Sequence, residues 1–354
     1  MFLAINEIKH AKLRYFLVIG VLFLIAYLVF FLTGLAYGLA QDNRSAVDKW
    51  QADHILVAEE ANQNLSMSMI PKKFYTEVQA EQKALLAQTP AVISHKDGGE
   101  TITATIFGIE PEQFLAPDII EGKMFTNTQE AVADNSLQTQ YGLKLGDTLT
   151  LSGNDTELTI VGFTNRAKFN VAPVLYTSIG AYQKIRFEKE DDSPDARING
   201  IVTRGTVDKI PDGLVKISIK QFIQKLPGYN AQVLTFSFMI GFLIVIAAIV
   251  IGIFIYVLTM QKIEIFGVMK AQGVASRYIA SSVLAQTFIL SLLGVGGGLV
   301  ATIATSFLLP VKVPFEMNFL YLSTIGLIMI VFALLGAFSS VRAVVKIDPL
   351  KAIG

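Results

Sequence analysis

The sequence predicts an α-helical membrane protein with four transmembrane helices and a large α+β extracytoplasmic domain inserted between helices 1 and 2. Three observations predict it. Hydrophobic residues make up 52% of the chain and charged residues only 16%, with a mean hydropathy of +0.51, outside the ordinary soluble range. Four stretches, residues 15–39, 234–260, 281–309 and 319–341, each supply the roughly 20 apolar residues that a spanning helix needs. Between the first two, residues 40–233 turn abruptly polar and carry short alternating apolar runs.

Taken in order, residues 1–14 place Phe2, Ile5 and Ile8 on one helical face with Lys9 and Lys12 elsewhere. That pattern suits either a cytoplasmic amphipathic helix lying in the inner interface or a plain extension of the first span. The first apolar run is too long for the core of a cleaved signal and has no clean small-residue cleavage site after it, so it is expected to remain as an anchor. The segment QDNRSAVDKWQ that follows is polar but helix-compatible, and is expected to prolong the span outward.

In the insert, HILVAE, TITATIFGI, DTLTLSG, ELTIVGFT, PVLYTS, INGIVTR and LVKISI read as strands separated by Gly, Asn and Asp turns. Residues 73–88 and 178–187 read as helices. The stretch 234–260 is longer than a hydrocarbon core of about 30 Å requires, so part of it should tilt or project. Residues 261–280 form a short, charged, glycine-punctuated helix, 310–318 an outside loop and 342–354 a cytoplasmic tail.

Orientation follows from the basic residues near the span ends. Lys9, Lys12 and Arg14 precede the first span, Lys262, Lys270 and Arg277 lie between the second and third, and Arg342, Lys346 and Lys351 follow the fourth. Four crossings put all three groups on one side, so both termini are expected in the cytoplasm and the insert outside the plasma membrane. Lys312 is alone between spans three and four.

Much chemistry is excluded. Net charge is zero and Cys is absent, so nothing points to nucleic acid, to thiolate metal sites or to cysteine nucleophiles. His10, His54 and His95 form no spaced pair, and no metal site or catalytic residue is expected. The run GVGGG, residues 294–298, lacks the Lys and Ser/Thr of a phosphate loop and suits helix packing inside a span. The spans hold essentially no ionisable residue, unlike an ion-driven transporter. A machine powered from outside the membrane fits better.

Three passages carry a resemblance. KIEIFGVMKAQGVASRYI (262–279), VRAVVKIDPLKAIG (341–354) and EGKMFTNTQEAVADNSLQTQYGLKLGDTLTLSGNDTELTIVGFT (121–164) stand in the order seen in permeases of the MacB and FtsX-like, mechanotransmission class of ABC transporters, which the chain resembles over nearly its whole length. LAINEIKHAKLRYFLVIG, FLTGLAYGLAQDN, FIYVLTMQKIEIFGVMKAQG and LPVKVPFEMNFLYL resemble its haem-exporting subgroup. The resemblance implies a homodimer in membrane lipid, two copies of a cytoplasmic ATPase subunit that uses ATP, and haem as cargo with no permanently bound cofactor. A permease for an antimicrobial peptide or other hydrophobic cargo, and a non-transporting signalling relative, are the alternatives.

Within that frame residues 261–280 become a coupling helix. Glu264, Lys270 and Gln272 supply polar contacts to the ATPase, Ile265, Val268 and Met269 apolar ones, and Gly267 and Gly273 permit close approach and a turn. For cargo, a macrocycle needs an aromatic cradle, a soft or basic ligand and cations near its propionates. Trp50 and Tyr229 are candidates near the outer interface, with a place in the aromatic belt or packing of the stalk as the alternative. Met69, together with Met67, and Arg166, together with Lys168, are the others.

Overall fold

A computed structural model describes residues 12–96, 98–153 and 156–345. Most of the N-terminal amphipathic segment and of the C-terminal tail, with its Asp-Pro motif, lies outside the described residues. The chain divides into two compact units, one of Met1–Gly38 with Val233–Gly354 and one of Leu39–Gln232.

The elements in chain order begin with α1 (Lys12–Lys49), β1 (His54–Ala58), β2 (Ile70–Pro71), α2 (Phe74–Glu77), β3 (Gln79–His95) and β4 (Ile102–Ile109). Then come β5 (Glu121–Gly122), β6 (Glu130–Asp134), α3 (Ser136–Tyr141), β7 (Thr148–Leu151), β8 (Glu157–Thr164), β9 (Lys168–Phe169), β10 (Ala172–Ser178) and α4 (Ile179–Phe187). The insert closes with β11 (Arg197–Ile198), β12 (Gly200–Lys209), β13 (Leu214–Ser218) and α5 (Ile219–Gln224). The remaining elements are α6 (Tyr229–Met260), α7 (Ile263–Ala271), α8 (Ser276–Ser306), α9 (Phe319–Gly336) and α10 (Phe338–Val345).

In the first unit, four helices are long and apolar enough to cross a membrane, the fourth crossing running through α9 into α10. Helices suit this role because every internal backbone group finds its partner within the segment. α1 has 38 residues, about 57 Å at ~1.5 Å each, well beyond a hydrocarbon core of about 30 Å. α6 has 32.

Small residues set the spacing of these helices, as the glycine run predicts. A Cβ on Gly294 would sit 2.6 Å from the Leu22 Cβ, and one on Gly298 2.8 Å from the Ala26 Cβ. α8 therefore lies against α1 closer than any larger residue permits. Tyr27 and Thr305 share a hydroxyl hydrogen bond of 3.1 Å along the same seam. A second close approach joins Gly252 of α6 to Gly336, where the fourth crossing passes from α9 to α10. The loop between α8 and α9 is pinned to α1: the Phe315 ring lies on Gly34, and Asn318 donates to the Tyr37 hydroxyl at 3.0 Å.

The second unit is built on one large mixed sheet in the order β13-β1-β12-β3-β4-β10-β6-β8-β5. β7 joins β3 to β8, β9 pairs with β10, and β11 pairs with β2 apart from it. The pairs β10–β4 and β6–β8 are parallel. The long β3 ties the halves together: its first part pairs with β12, its later part with β4 and its end with β7.

β3 corrects the helix expected at 73–88. Only Phe74–Glu77 is helical, and the chain then runs extended. Residues 84–89 are buried without interruption, the signature of a central strand covered on both faces. Ala, Gln, Glu, Lys and Leu are good helix formers in isolation, but pairing with β12 and then with β4 overrides that weak preference. Lys83 fixes the change of direction by donating to the carbonyls of Tyr75 and Val78. Burial lowers its pKa. The expected helix at 178–187 is present as α4, capped by the Ser178 hydroxyl, which accepts from the Ala181 amide at 3.1 Å.

Candidate coupling helix and cargo surface

α6 ends at Met260, and the turn through Gln261 and Lys262 redirects the chain into α7. Lys262 donates to the Tyr15 hydroxyl at 3.2 Å, and Tyr15 donates to Gln286 at 3.4 Å. Arg14 bonds the Gln261 side chain. These contacts join the start of α1, the end of α6 and α8 around the base of α7.

The helix itself is seated by one side chain. Phe266 is buried among Tyr15, Val18, Leu258, Ile279 and Val283. Gly267 is buried beside it. Their burial turns the opposite face outward: Glu264 is exposed, as are Ile263, Ile265 and Val268. Ile265 and Val268 lie one helical turn apart with Glu264 beside them, a mixed apolar and acidic face left exposed by the described residues.

Two expected contact residues sit differently. Met269 is half-buried and packs into the membrane core, which withdraws most of it from the outward face. The Lys270 ammonium donates to the Val345 carbonyl at 3.0 Å, tying α7 to α10. Gly273 has φ +91 and ends the turn into α8, with nothing within 4 Å of its missing Cβ. A larger residue there would be strained by backbone conformation rather than by crowding.

The cargo candidates are not brought together. Trp50 is a correction: it is 1% exposed, inside an aromatic core with Phe107 and Phe222 at ring-centroid distances of 6.0 Å. Its carbonyl accepts two bonds from the Arg204 guanidinium at 3.0 and 2.7 Å. A side chain that closed in offers no stacking face. Tyr229 is half-buried and packs against the same core. Met69 is half-buried just before β2, Met67 is exposed, and Arg166 is exposed in the turn after β8. Lys168 is engaged by Asp42 at 2.8 Å. Among the described residues no group of three or more His, Cys, Asp or Glu could hold a metal ion.

The sequence reading missed two grooves between α6 and the fourth crossing. One, of about 410 Å³, is lined by Phe238, Gly241, Phe242, Val245, Ile328 and Phe332 among others. The other, of about 500 Å³, is lined by Ala248, Ile249, Gly252, Ile253, Tyr256 and Gly336. Phe238, Phe242, Val245, Ile249, Gly252 and Tyr256 alternate steps of four and three along α6. That heptad spacing, broken by small residues, was the available signal.

Four apolar crossings, a folded insert after the first and a short helix presented after the second give the chain the layout of a multi-span membrane protein with one large inserted domain. Two family models match the chain. The MacB-like periplasmic core domain covers residues 16–208 and the FtsX-like permease C-terminal domain covers 237–349. The chain belongs to this family of ABC transporter permeases, with its insert on the extracellular side.

Among curated proteins it is 26% identical over 356 residues to the putative hemin transport system permease protein HrtB of Staphylococcus haemolyticus, covering 100% of this chain and 99% of that one. An uncharacterized ABC transporter permease of Mycobacterium tuberculosis is 25% identical over 364 residues, with the same coverage. Among solved structures, the extracellular domain of the noncanonic ABC-type transporter YknZ aligns with a TM-score of 0.32 and 13% identity, over 51% of this chain and 94% of that one.

Proposed function

We propose that this chain is the permease subunit of an ABC exporter, coupling ATP hydrolysis by a partner subunit to extrusion of haem from the membrane by mechanotransmission. The observation that carries the reading is α7: one buried anchor, Phe266, holds a helix whose Ile263, Glu264, Ile265 and Val268 face away from the chain. A soluble motor needs such a rigid, partly apolar handle, and Glu264, Gly267, Met269, Lys270 and Gly273 are assigned to it. Two ATPase copies act on a homodimer with both termini in the cytoplasm.

Haem is favoured as cargo because full-length relatives carry hemin transport in their names and because the grooves beside α6 are lined by apolar residues. A flat, lipid-soluble macrocycle suits lateral entry from the bilayer. Another hydrophobic cargo is the second reading, favoured by the closure of Trp50 within the insert's core. Expression with the cognate ATPase should raise haem tolerance of a sensitive host, and the purified complex should show a Soret band and haem-stimulated ATP hydrolysis. Unchanged tolerance without a Soret band overturns haem. Hydrolysis stimulated instead by a different apolar compound moves the reading to that cargo.

A further inference from the structure

The outer end of α1 is held to the insert by an unusual turn. β9 and β10 are joined by Asn170 and Val171, with φ +51 and +68. Positive φ at both central residues is the geometry of a tight hairpin turn that favours Asn followed by Gly. Val is a poor occupant, because a β-branched side chain is strained in the left-handed region. Val171 is also 44% exposed, so burial of its side chain does not offset that cost.

What the turn gains is a pair of main-chain contacts. The Asn170 amide donates to the Asn43 carbonyl at 3.0 Å and the Val171 amide to the Asp42 carbonyl at 3.1 Å. Helical carbonyls have a second lone pair, so these bonds add to the helix without breaking it. Around them, the Lys168 amide donates to the Ser45 hydroxyl at 3.0 Å, and the Lys168 ammonium meets the Asp42 carboxylate at 2.8 Å. That pair is 17% and 21% exposed, so removing either partner leaves the other charge mostly shielded from water and uncompensated. Lys49, two turns further along α1, donates to the Thr164 hydroxyl at 2.8 Å.

The contacts lead straight into the sheet. The Ala167 amide donates to the buried Asp134 carboxylate at 2.7 Å at the end of β6, and β10 continues between β4 and β6. Both amides of the turn therefore bond α1, and β10, which leaves it, runs into the centre of the sheet.

We infer that the β9–β10 turn is the attachment through which displacement of α1 is passed to the sheet of the insert, with Asp42, Ser45, Lys168 and the Asn170–Val171 amides bearing the load. The inference rests on the mechanotransmission reading and identifies where transmission enters the insert. The attachment stays closed throughout the cycle. Asp42 and Lys168 are positioning residues, since they act on the insert and not on cargo.

The chain has no cysteine, which allows a test in the full complex with the ATPase. An Asp42→Cys/Lys168→Cys variant removes the ion pair, and a short bifunctional thiol reagent then replaces it with a covalent bridge. Two quantities are read: ATP hydrolysis, and the ATP-dependent change in amide hydrogen exchange along β4, β6 and β10. Unbridged, the variant should hydrolyse ATP within about twofold of the parent while the exchange response falls several-fold. Bridging should restore the response, which repair of ordinary stability alone does not predict if melting is unchanged.

A full response in the unbridged variant, or a bridge that fails to restore a lost one, overturns the attachment. A bridge that abolishes the response means that the contact must open, and overturns it equally. If the parent complex itself shows no ATP-dependent change in the insert, mechanotransmission fails and takes the attachment with it. The parent arm thus separates the two failures.

Discussion

Trp50 shows how a single residue changes meaning once its surroundings are known. Enclosed by Phe107 and Phe222, it is a core side chain, and Trp50→Ala should cost about 3–5 kcal/mol through loss of burial and creation of a cavity. Haem tolerance would then fall together with protein level and melting temperature, and would say nothing about cargo. Tyr182 makes the opposite case. It is fully buried, and its hydroxyl has no hydrogen-bond partner among the described residues, so that burial pushes its phenol up to about 12. The neutral form is favoured by the fold, so this contribution to stability is complete below the ordinary value of 10.0 and is lost as pH rises through about 12. Tyr182→Phe removes an unsatisfied buried group and should leave stability equal or raise it by about 1 kcal/mol. The variant should also lose one late-ionising phenol in an ultraviolet titration of the whole protein. A drop in melting temperature would show that the hydroxyl has a partner in solution.

Among the elements, α7 and the α1–α8 seam each support a direct test. Ile265→Asp with Val268→Asp places charge on the outward face of α7 without touching the Phe266 anchor. Insertion and melting should hold, while the affinity of the ATPase falls at least tenfold in a pull-down titration. Unchanged affinity would remove α7 as the docking element. At the seam, Gly298→Leu forces a side chain into a space where even a Cβ meets Ala26 at 2.8 Å. Overpacking of this kind costs about 1–3 kcal/mol, read as a lower melting temperature in detergent. Ala26→Gly should recover part of the loss, since it removes the atom that is struck. Additive effects in the double variant would mean that the two residues are not in contact in the membrane.

For the whole molecule, the arrangement of basic residues and the extracellular insert make one topological statement. Reporters fused after Gly354 and at Gly273 should both register the cytoplasm, and one at Gly153 the outside. A reporter at Lys312 should also register outside, because only four crossings place that loop there. Any fifth crossing or an external C-terminus would break the proposed docking of the ATPase, since Gly273 and α7 must share its compartment.

The sequence by itself determined the four apolar crossings, many of the longer strands of the insert and the family, because these depend on local facts: runs of apolar residues, alternation over short windows and motifs of fixed order. It also found the glycines of α8, since Gly repeated inside an apolar helix has few other uses. What it could not determine was where long-range pairing opposes local preference. Residues 79–88 are helix formers that became part of the strand β3 because β12 pairs with residues 79–86 and β4 takes over from Ala87. Trp50, near a span in sequence, went to the core because Phe107, Phe169 and Phe222 arrive there from distant strands and helices. Met269 and Lys270 turned toward Val345 and the membrane core, and Val171 entered a left-handed turn whose amides reach α1. Contacts between residues far apart in the chain have no local signature, and only the tertiary structure decides which side chains they leave exposed for function.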